Sequence, residues 1–554
     1  MAVLSSKIVR ARLIIILGSL LLFASFNGRI HLFDWDEINF AESAREMIVT
    51  GDFSTVQINY QPFWEKPPLF IWMQALSMKL FGINEFAARF PNAVCGIITL
   101  LFLFEAGRRH FGFRFGWLWA LAYAGSFLPF FYFKSGIIDP WFNLLIFGSL
   151  YTLYLYTDVS FKGNKQLTVS IGGVLLGLAI LTKGPAALVI MGLAFGVYMV
   201  VRKFRIAIKA TDVGLFVLTT IITGGSWFLF QLLTGNLQII IDFIEYQVRL
   251  FSTPDAGHRG FLFYHFVVLL IGVFPASVFL FPSKNQLKSL LNKEYHFFLW
   301  NLVLLSVVLI LFTIVKTKIV HYSSLAYFPA TFIAALFIEK MITSGKRFSR
   351  WHNFLAGFIV LIYAMLVIIL PFTDILKPYI IEKNLINDAF AVANLKAEGN
   401  WKLWEGITGL ILIGGFIAFI RFNKVKQTKK AVIVLFSANL IFTFFSMVLI
   451  LPKIEAYSQR AMIEFCKKVG EKNDYVHTLG FKSYAVYFYA QRKPPGLPDD
   501  FNLNDPKGVP GSRNLYIIMK NTNKQQYLQK YPRLEYLYEK NGFVFTKLNT
   551  TENF

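Results

Sequence analysis

A small group of charged residues near the start of the chain has the composition of a reactive site. Asp36 and Glu37 follow the first hydrophobic segment, and Glu65 and Lys66 follow about thirty positions later, before the apolar sequence resumes. A carboxylate can accept a proton from an incoming hydroxyl, and a lysine can neutralise a departing phosphate. The same acids also suit the N-terminus of a helix, so their types alone leave both interpretations open.

Further ionisable residues occur where hydrophobic segments end. They are Asp139, Lys183, Arg259, Lys318 and His321. Such groups are costly at membrane depth and usually face a cavity or a partner, so Asp139 and Lys183 stand out from ordinary loop charges. With Asp36 they offer a base for an acceptor hydroxyl and cations for a leaving phosphate, as glycosyl transfer from a lipid-phosphate sugar requires.

The elements that must position these residues are membrane-spanning helices. Hydrophobic residues make up 55% of the chain and charged residues only 16%. Thirteen apolar segments approach the roughly 20 residues that a helix needs to cross a bilayer core. They are 11–27, 86–106, 116–133, 140–157, 168–184, 186–201, 213–232, 261–281, 297–315, 321–338, 353–371, 404–420 and 431–451. The sequence therefore predicts a mainly α-helical, polytopic membrane protein, with twelve or fourteen spans left open by the short turns near Pro140 and Pro185.

The positions of the basic residues predict the topology. With the N-terminus inside, seven cytoplasmic windows contain 24 of the chain's 55 Lys and Arg residues in 83 positions. Basic residues concentrate in short cytoplasmic loops, so we expect a cytoplasmic N-terminus and an outer C-terminus. This bias and a basic C-terminal region account for the net charge of +23, and nucleic-acid binding is therefore not expected.

The longest loop between spans, residues 28–85, carries the acidic segment. We expect it to hold two amphipathic interfacial helices, the first capped by Asp34 and ended by Gly51. The second should begin at Pro67 or the next residue. Lys66 then stands at a helix N-terminus, a place that favours phosphate oxygens.

The composition changes after residue 451. Residues 1–451 are predicted to form the transmembrane domain, and residues 452–554 a small outer α/β domain. We expect a helix near 455–470 and strands at 475–479, 515–519 and 543–546. The tyrosines of this region, Tyr484, Tyr487 and Tyr489 among them, are interpreted as packing residues.

Cysteine usage gives little further information. Cys95 and Cys466 cannot form a disulfide framework and show no metal-binding spacing. No cofactor is indicated, and a divalent metal stays open although the spacing of ligand residues does not point to one.

Several short motifs carry a family resemblance. They are Asp36-Glu37-Ile-Asn-Phe-Ala41-Glu42-Ser-Ala-Arg45-Glu46-Met47, Glu65-Lys66-Pro67-Pro68-Leu69, Arg89-Phe90-Pro91, Asp139-Pro140, Thr182-Lys183-Gly184-Pro185 and Lys316-Thr-Lys318-Ile-Val-His321-Tyr322. This set resembles the bacterial aminoarabinose (lipid A) transferase branch of the dolichyl-phosphate-mannose protein mannosyltransferase superfamily. Asn39 departs from the pattern, since that family commonly has arginine there.

The resemblance implies a C-type glycosyltransferase fold with about 13 transmembrane helices and a small C-terminal α/β periplasmic domain. It also implies that Asp36 is the principal catalytic carboxylate, Asp139 a second acid in the cavity and Lys66 a ligand of polyprenyl phosphate. The complete candidate set is Asp36, Asp139 and Glu37 for catalysis, and Lys66, Glu65, Lys183, Arg259, Lys318, His321 and Tyr322 for substrate binding.

The favoured function is therefore a glycosyltransferase of the bacterial inner membrane. It would use a polyprenyl-phosphate sugar donor and modify a lipid A-type glycolipid or surface glycan on the periplasmic face. Transfer to Ser or Thr of secreted proteins is an alternative that the motifs do not separate. A lipid or glycan transporter is more remote, because no inverted repeat is apparent and the charges collect on one side.

Overall fold

Long helices dominate the computed structural model of the chain. The structure describes residues 2–206, 208–253, 260–281, 287–288, 290–497, 501, 503 and 513–549. The α-helices are α1 (Ala2–Ala24), α2 (Asp36–Thr50), α3 (Leu69–Phe81), α4 (Glu85–Phe111), α5 (Phe113–Ala124), α6 (Phe127–Tyr132), α7 (Asp139–Thr157), α8 (Lys165–Lys183), α9 (Ala186–Val201), α10 (Ala210–Leu233), α11 (Leu237–Ser252), α12 (Tyr264–Gly272), α13 (Asn292–Ile314), α14 (Tyr327–Thr343), α15 (Arg350–Ile369), α16 (Thr373–Glu382), α17 (Ala389–Leu395), α18 (Ile407–Lys424), α19 (Thr428–Leu449), α20 (Leu451–Ala456), α21 (Arg460–Glu471), α22 (Ala485–Phe488) and α23 (Lys524–Lys530). The predicted mainly helical class is confirmed.

The helices coincide with the predicted hydrophobic segments. Within the described residues, eight helical segments are long and apolar enough to cross a membrane. The remaining predicted segments are also helical but shorter, interrupted or more polar; α5 and α6 are separated by Gly125 and Ser126, and α9 has 16 residues. The chain is a polytopic membrane protein.

The first outer loop contains α2, a two-residue β-hairpin of β1 (Gln57–Ile58) and β2 (Gln61–Pro62), and α3. The predicted cap by Asp34 is wrong, because α2 begins at Asp36 and has Trp35 at its N-cap position without a side-chain cap. Asp34 instead accepts a hydrogen bond from the Tyr484 N–H at 3.3 Å. The end of α2 at Gly51 is confirmed, with the left-handed φ of 75° that favours glycine.

The C-terminal region contains a four-stranded sheet. Its strands are β3 (Tyr475–Leu479), β4 (Leu515–Lys520), β5 (Leu534–Lys540) and β6 (Phe543–Leu548), in the order β3-β4-β6-β5. β3 and β4 are parallel, and the other two pairs are antiparallel. Three strands lie where predicted, whereas β5 was not predicted.

The first outer loop and the C-terminal region share one hydrophobic core. A single buried cluster contains Ile38 and Met47 of α2, Ile71 of α3, Phe465 of α21 and Phe545 of β6. The loop therefore packs on the C-terminal region as well as on the helices. A domain boundary after residue 451 stays a prediction.

Candidate active site

The candidate residues lie where several helices end. Asp36 is the first residue of α2 and Asp139 the first of α7, while Lys183 is the last of α8. His321 lies in a 3-10 turn that covers Val320–Ala326. These elements bring residues far apart in sequence into one cluster of charged groups.

Local sequence fixes two of these ends. Pro140 occupies the first turn of α7, where its missing N–H costs nothing. Gly184 ends α8 with a φ of 95°, and a Cβ there would lie 2.7 Å from the Phe243 ring. Glycine is therefore required directly after Lys183, and it holds the lysine at the helix terminus.

The centre of the cluster is a buried ion pair. Lys183 Nζ lies 2.5 Å from Asp139 Oδ1, and the two side chains are 17% and 3% exposed. Lys183 also lies 5.1 Å from the centre of the Tyr322 ring, which places that predicted residue in the site. Asp139 Oδ2 has no hydrogen-bond partner in the described part of the chain and lies 4.0 Å from His321 Nε2.

Asp36 is the carboxylate that solvent reaches most easily in this cluster. Its side chain is 35% exposed, and its Oδ2 lies 3.6 Å from His321 Nε2. An incoming hydroxyl can therefore approach Asp36, whereas Asp139 is enclosed. The imidazole of His321 stands between the two acids.

Lys66 and Glu65 complete the cluster. The Lys66 ammonium lies 4.0 Å from Glu65 Oε2 and 3.5 Å from the Tyr246 hydroxyl. Burial lowers the pKa of Lys66, while the charges of Glu65 and Asp36 oppose that change. Tyr246 was not predicted, since no motif marks α11.

Glu37 is held by several hydrogen bonds next to Asp36, and its catalytic role stays a prediction. Arg89 donates two hydrogen bonds to its carboxylate, at 3.0 and 2.8 Å, and the Phe33 N–H donates a third at 2.9 Å. Burial raises the pKa of Glu37, but the charge and hydrogen bonds of Arg89 outweigh it and leave that pKa below its usual range. The carboxylate is thus ionised and fully engaged beside Asp36.

Lys318 contacts the end of a neighbouring helix. Its ammonium donates to the carbonyls of Phe312, Thr313 and Val315, each at 2.7 Å, and the residue is 8% exposed. A lysine in this place satisfies the free carbonyls at the end of α13. Lys318 therefore caps α13, and its predicted role in substrate binding stays a prediction. Arg259 lies outside the described residues.

The C-terminal region holds the segment that leads into Asp36. The Leu32 N–H donates to the Tyr489 hydroxyl at 2.6 Å, and Gln459 Nε2 donates to the Leu32 carbonyl at 2.6 Å. The Asp34 N–H donates to Gln459 Oε1 at 3.3 Å. Nothing in the sequence marked Gln459, and Tyr489 was interpreted only as a packing residue.

The arrangement of candidate metal ligands gives no positive signal. Within the described ranges, no group of three or more His, Cys, Asp or Glu side chains could hold a metal ion. Cys95 and Cys466 are both buried free thiols.

Sequence comparisons identify proteins that are similar to this chain. The family model for dolichyl-phosphate-mannose-protein mannosyltransferase matches residues 65–227. An undecaprenyl phosphate-alpha-4-amino-4-deoxy-L-arabinose arabinosyl transferase 1 of Proteus mirabilis is 25% identical over 310 residues, which are 55% of each chain. The corresponding transferase of Photorhabdus laumondii is 26% identical over 329 residues, 58% of each chain. The matched part thus spans little more than half the length of these relatives.

A solved structure extends the similarity to nearly the whole chain. ArnT from Cupriavidus metallidurans, crystallised with undecaprenyl phosphate, superposes with a TM-score of 0.75 over 97% of this chain and 98% of that one, at 16% identity. The chain has the C-type glycosyltransferase fold. The resemblance to the aminoarabinose transferase branch is confirmed by the same set of matches. The Asp36 end of the charged cluster lies beside the C-terminal region, where Trp35 packs on Tyr484.

Proposed function

We propose that the chain is an integral membrane glycosyltransferase of the bacterial inner membrane. It transfers a sugar from a polyprenyl-phosphate donor to a lipid A-type glycolipid or surface glycan on the periplasmic face. The observation that carries the proposal is a partly open Asp36 beside the buried Asp139–Lys183 pair and Lys66. The names of the Proteus and Photorhabdus relatives support the donor class.

The residues of the site have separate roles in the transfer. Asp36 accepts the proton of the acceptor hydroxyl, while the oxygen of that hydroxyl forms a bond to the anomeric carbon of the donor sugar. The bond between that carbon and the phosphate oxygen breaks, and polyprenyl phosphate leaves with the electron pair. Lys66 and Lys183 stabilise the charge that develops on the leaving group. An acceptor phosphate is already anionic and needs only orientation.

Deletion of the gene tests the proposal directly. Mass spectrometry should show the loss of one sugar mass from lipid A or from a surface glycan. A loss confined to secreted proteins would favour the protein Ser/Thr acceptor instead. Unchanged masses in all three fractions, in cells that normally express the protein, would refute the proposal.

Lys66→Ala should weaken the binding of polyprenyl phosphate by roughly 10- to 100-fold, because a hydrogen bond to a charged group contributes about 1.5–3 kcal/mol. Burial lowers the pKa of Lys66, so the wild-type affinity should begin to fall at a lower pH than an ordinary lysine gives. Lys66→Arg should keep part of the affinity and move that alkaline loss upward, since a guanidinium stays charged. Binding to purified protein across pH measures both effects.

Lys79→Ala, an exposed lysine at the end of α3, is the matched control and should bind the donor normally. An unchanged affinity in Lys66→Ala would move the phosphate-binding role to Lys183 or to Arg259.

Fusion reporters should reveal the sidedness of the chain. Positive-inside counting places the N-terminus in the cytoplasm and the C-terminal region in the periplasm. A reporter that is active only outside the cytoplasm should be active after Phe554 and silent near Lys426. The reverse pattern would place the charged cluster on the cytoplasmic side and exclude a donor whose sugar has been flipped outward.

A further inference from the structure

An exposed aromatic residue stands directly beside Asp36. Trp35 is 43% exposed, although it lies at the junction of α2 with the C-terminal region. Its ring packs edge-to-face on Tyr484, with a centroid distance of 4.9 Å. The Lys482 ammonium lies 5.8 Å from the centre of the Trp35 ring and 5.2 Å from that of Tyr484. We name Trp35, Lys482 and Tyr484 the Trp35 platform.

Helix formation does not explain tryptophan at this position. Trp35 is the N-cap residue of α2, where Ser, Thr, Asp or Asn would hydrogen-bond the free N–H groups, and it provides no side-chain cap. Core packing does not explain it either, because much of the ring is accessible. Trp35 therefore gives α2 no side-chain cap, but it places an exposed aromatic surface next to the Asp36 carboxylate.

The backbone on both sides of Trp35 is held in place. Asp34 accepts a hydrogen bond from the Tyr484 N–H and donates its own N–H to Gln459. On the other side, the Asn39 N–H donates to the Trp35 carbonyl at 3.2 Å. The platform is therefore a fixed surface, and such preorganisation lowers the entropy that a ligand must lose on binding.

Charge distinguishes this surface from the donor side of the cluster. Lys482 is exposed and adds a cation beside the Trp35 ring, whereas Glu65 lies next to Lys66 and Asp36 lies next to His321. Burial raises the pKa of Tyr484, and the negative charges of Glu65, Asp34 and Asp36 raise it further. The Tyr484 hydroxyl is buried without a hydrogen-bond partner in the described structure, so Tyr484 supports the Trp35 ring from below the surface.

An aromatic face next to an ammonium group matches one class of ligand. The C–H face of a sugar ring complements the negative face of an indole, and an ammonium group pairs with a phosphate on the same sugar. The carboxylates of Glu65 and Asp36 would repel that phosphate, so the phosphate is directed toward Lys482 while a hydroxyl is directed toward Asp36.

We propose that the Trp35 platform is the acceptor subsite, in which a sugar ring of a phosphorylated glycolipid headgroup stacks on Trp35 and its phosphate pairs with Lys482. The proposal rests on the glycosyltransferase function proposed above and specifies its acceptor. It also gives the C-terminal region a direct part in substrate recognition, since Lys482 and Tyr484 both belong to it.

Binding measured in an Asp36→Asn background separates recognition from turnover. The probes are a disaccharide lipid with one phosphate, the same lipid without the phosphate, and polyprenyl phosphate. Trp35→Ala should weaken the binding of both disaccharide lipids by about tenfold, and Trp35→Phe should weaken it by less. Lys482→Gln should weaken the binding of the phosphorylated lipid only, and its affinity should fall to that of the unphosphorylated lipid. Polyprenyl phosphate should bind equally to all variants.

Trp404→Ala and Lys472→Gln remove an exposed tryptophan and an exposed lysine elsewhere and serve as controls. Unchanged acceptor binding in Trp35→Ala and Lys482→Gln would overturn the subsite while leaving the donor chemistry in place. Lost polyprenyl phosphate binding in the same variants would also overturn it, because that result indicates general damage. A wild-type protein that binds neither donor nor acceptor would instead refute the glycosyltransferase function.

Discussion

Asp36→Asn should lower sugar transfer by at least about 10²-fold, the lower end of the range for loss of a positioned base. The carboxylate is the most accessible acid in the charged cluster, and an amide of the same shape cannot take up the acceptor proton. The substitution removes no buried partner, so folding should be nearly unaffected. Transfer by purified protein from a polyprenyl-phosphate sugar, with thermal unfolding measured in parallel, tests this expectation.

Asp158→Asn provides the matched control, because Asp158 is a carboxylate in the loop between α7 and α8, at the opposite end of α7 from Asp139. It should transfer sugar at the wild-type rate. Near-normal turnover by well-folded Asp36→Asn would mean that Asp36 serves only the N-terminus of α2, where acids are favourable anyway.

Lys183→Met should destabilise the protein by about 3 kcal/mol and abolish transfer. It leaves the Asp139 carboxylate, which is 3% exposed, buried without its cation. Asp139→Asn leaves Lys183 unpaired, but that side chain is 17% exposed, so we expect a smaller loss of stability. The double variant Asp139→Asn/Lys183→Met removes both charges and should recover most of the stability without recovering transfer.

Unfolding of the purified variants in detergent measures the contribution of the pair to stability. Transfer assays measure its contribution to activity. Arg12→Met breaks the partly exposed Arg12–Glu105 pair and should cost about 1 kcal/mol or less. Recovery of transfer in the double variant would show that the buried pair has only a structural role. An unchanged stability in Lys183→Met would show that the pair does not contribute to folding.

Hydropathy predicted the membrane helices well because the bilayer requires long apolar segments and satisfied backbone groups. It could not predict the start of α2, since Asp34 is engaged by Tyr484, which lies 450 positions away. β5 was missed although a signal existed. Asn541-Gly542, with φ values of 50° and 79°, forms the two-residue turn that joins β5 to β6.

The difference between local sequence signals and long-range contacts also explains which site residues could be predicted. Asp139 and Lys183 were identified because charges at membrane depth need partners, and they pair with each other. Glu37 looked equally reactive in sequence, but Arg89 lies 52 positions away and its contact with Glu37 leaves no trace in local spacing. The capping contacts of Lys318 could not be predicted either, because an end-capping lysine and a ligand-binding lysine have the same sequence signature.

The hydrogen bonds that hold Leu32 also determine when the site is completed during biosynthesis. Leu32 and its partner Tyr489 are 457 residues apart, so at about 5–20 residues per second the ribosome needs roughly 20–90 s to deliver the second after the first. During that interval Asp36 has emerged but the segment before it is unsupported. A nascent or prematurely terminated chain therefore carries Asp36 without the contacts that orient it, and these contacts form only after the C-terminal region has been synthesised.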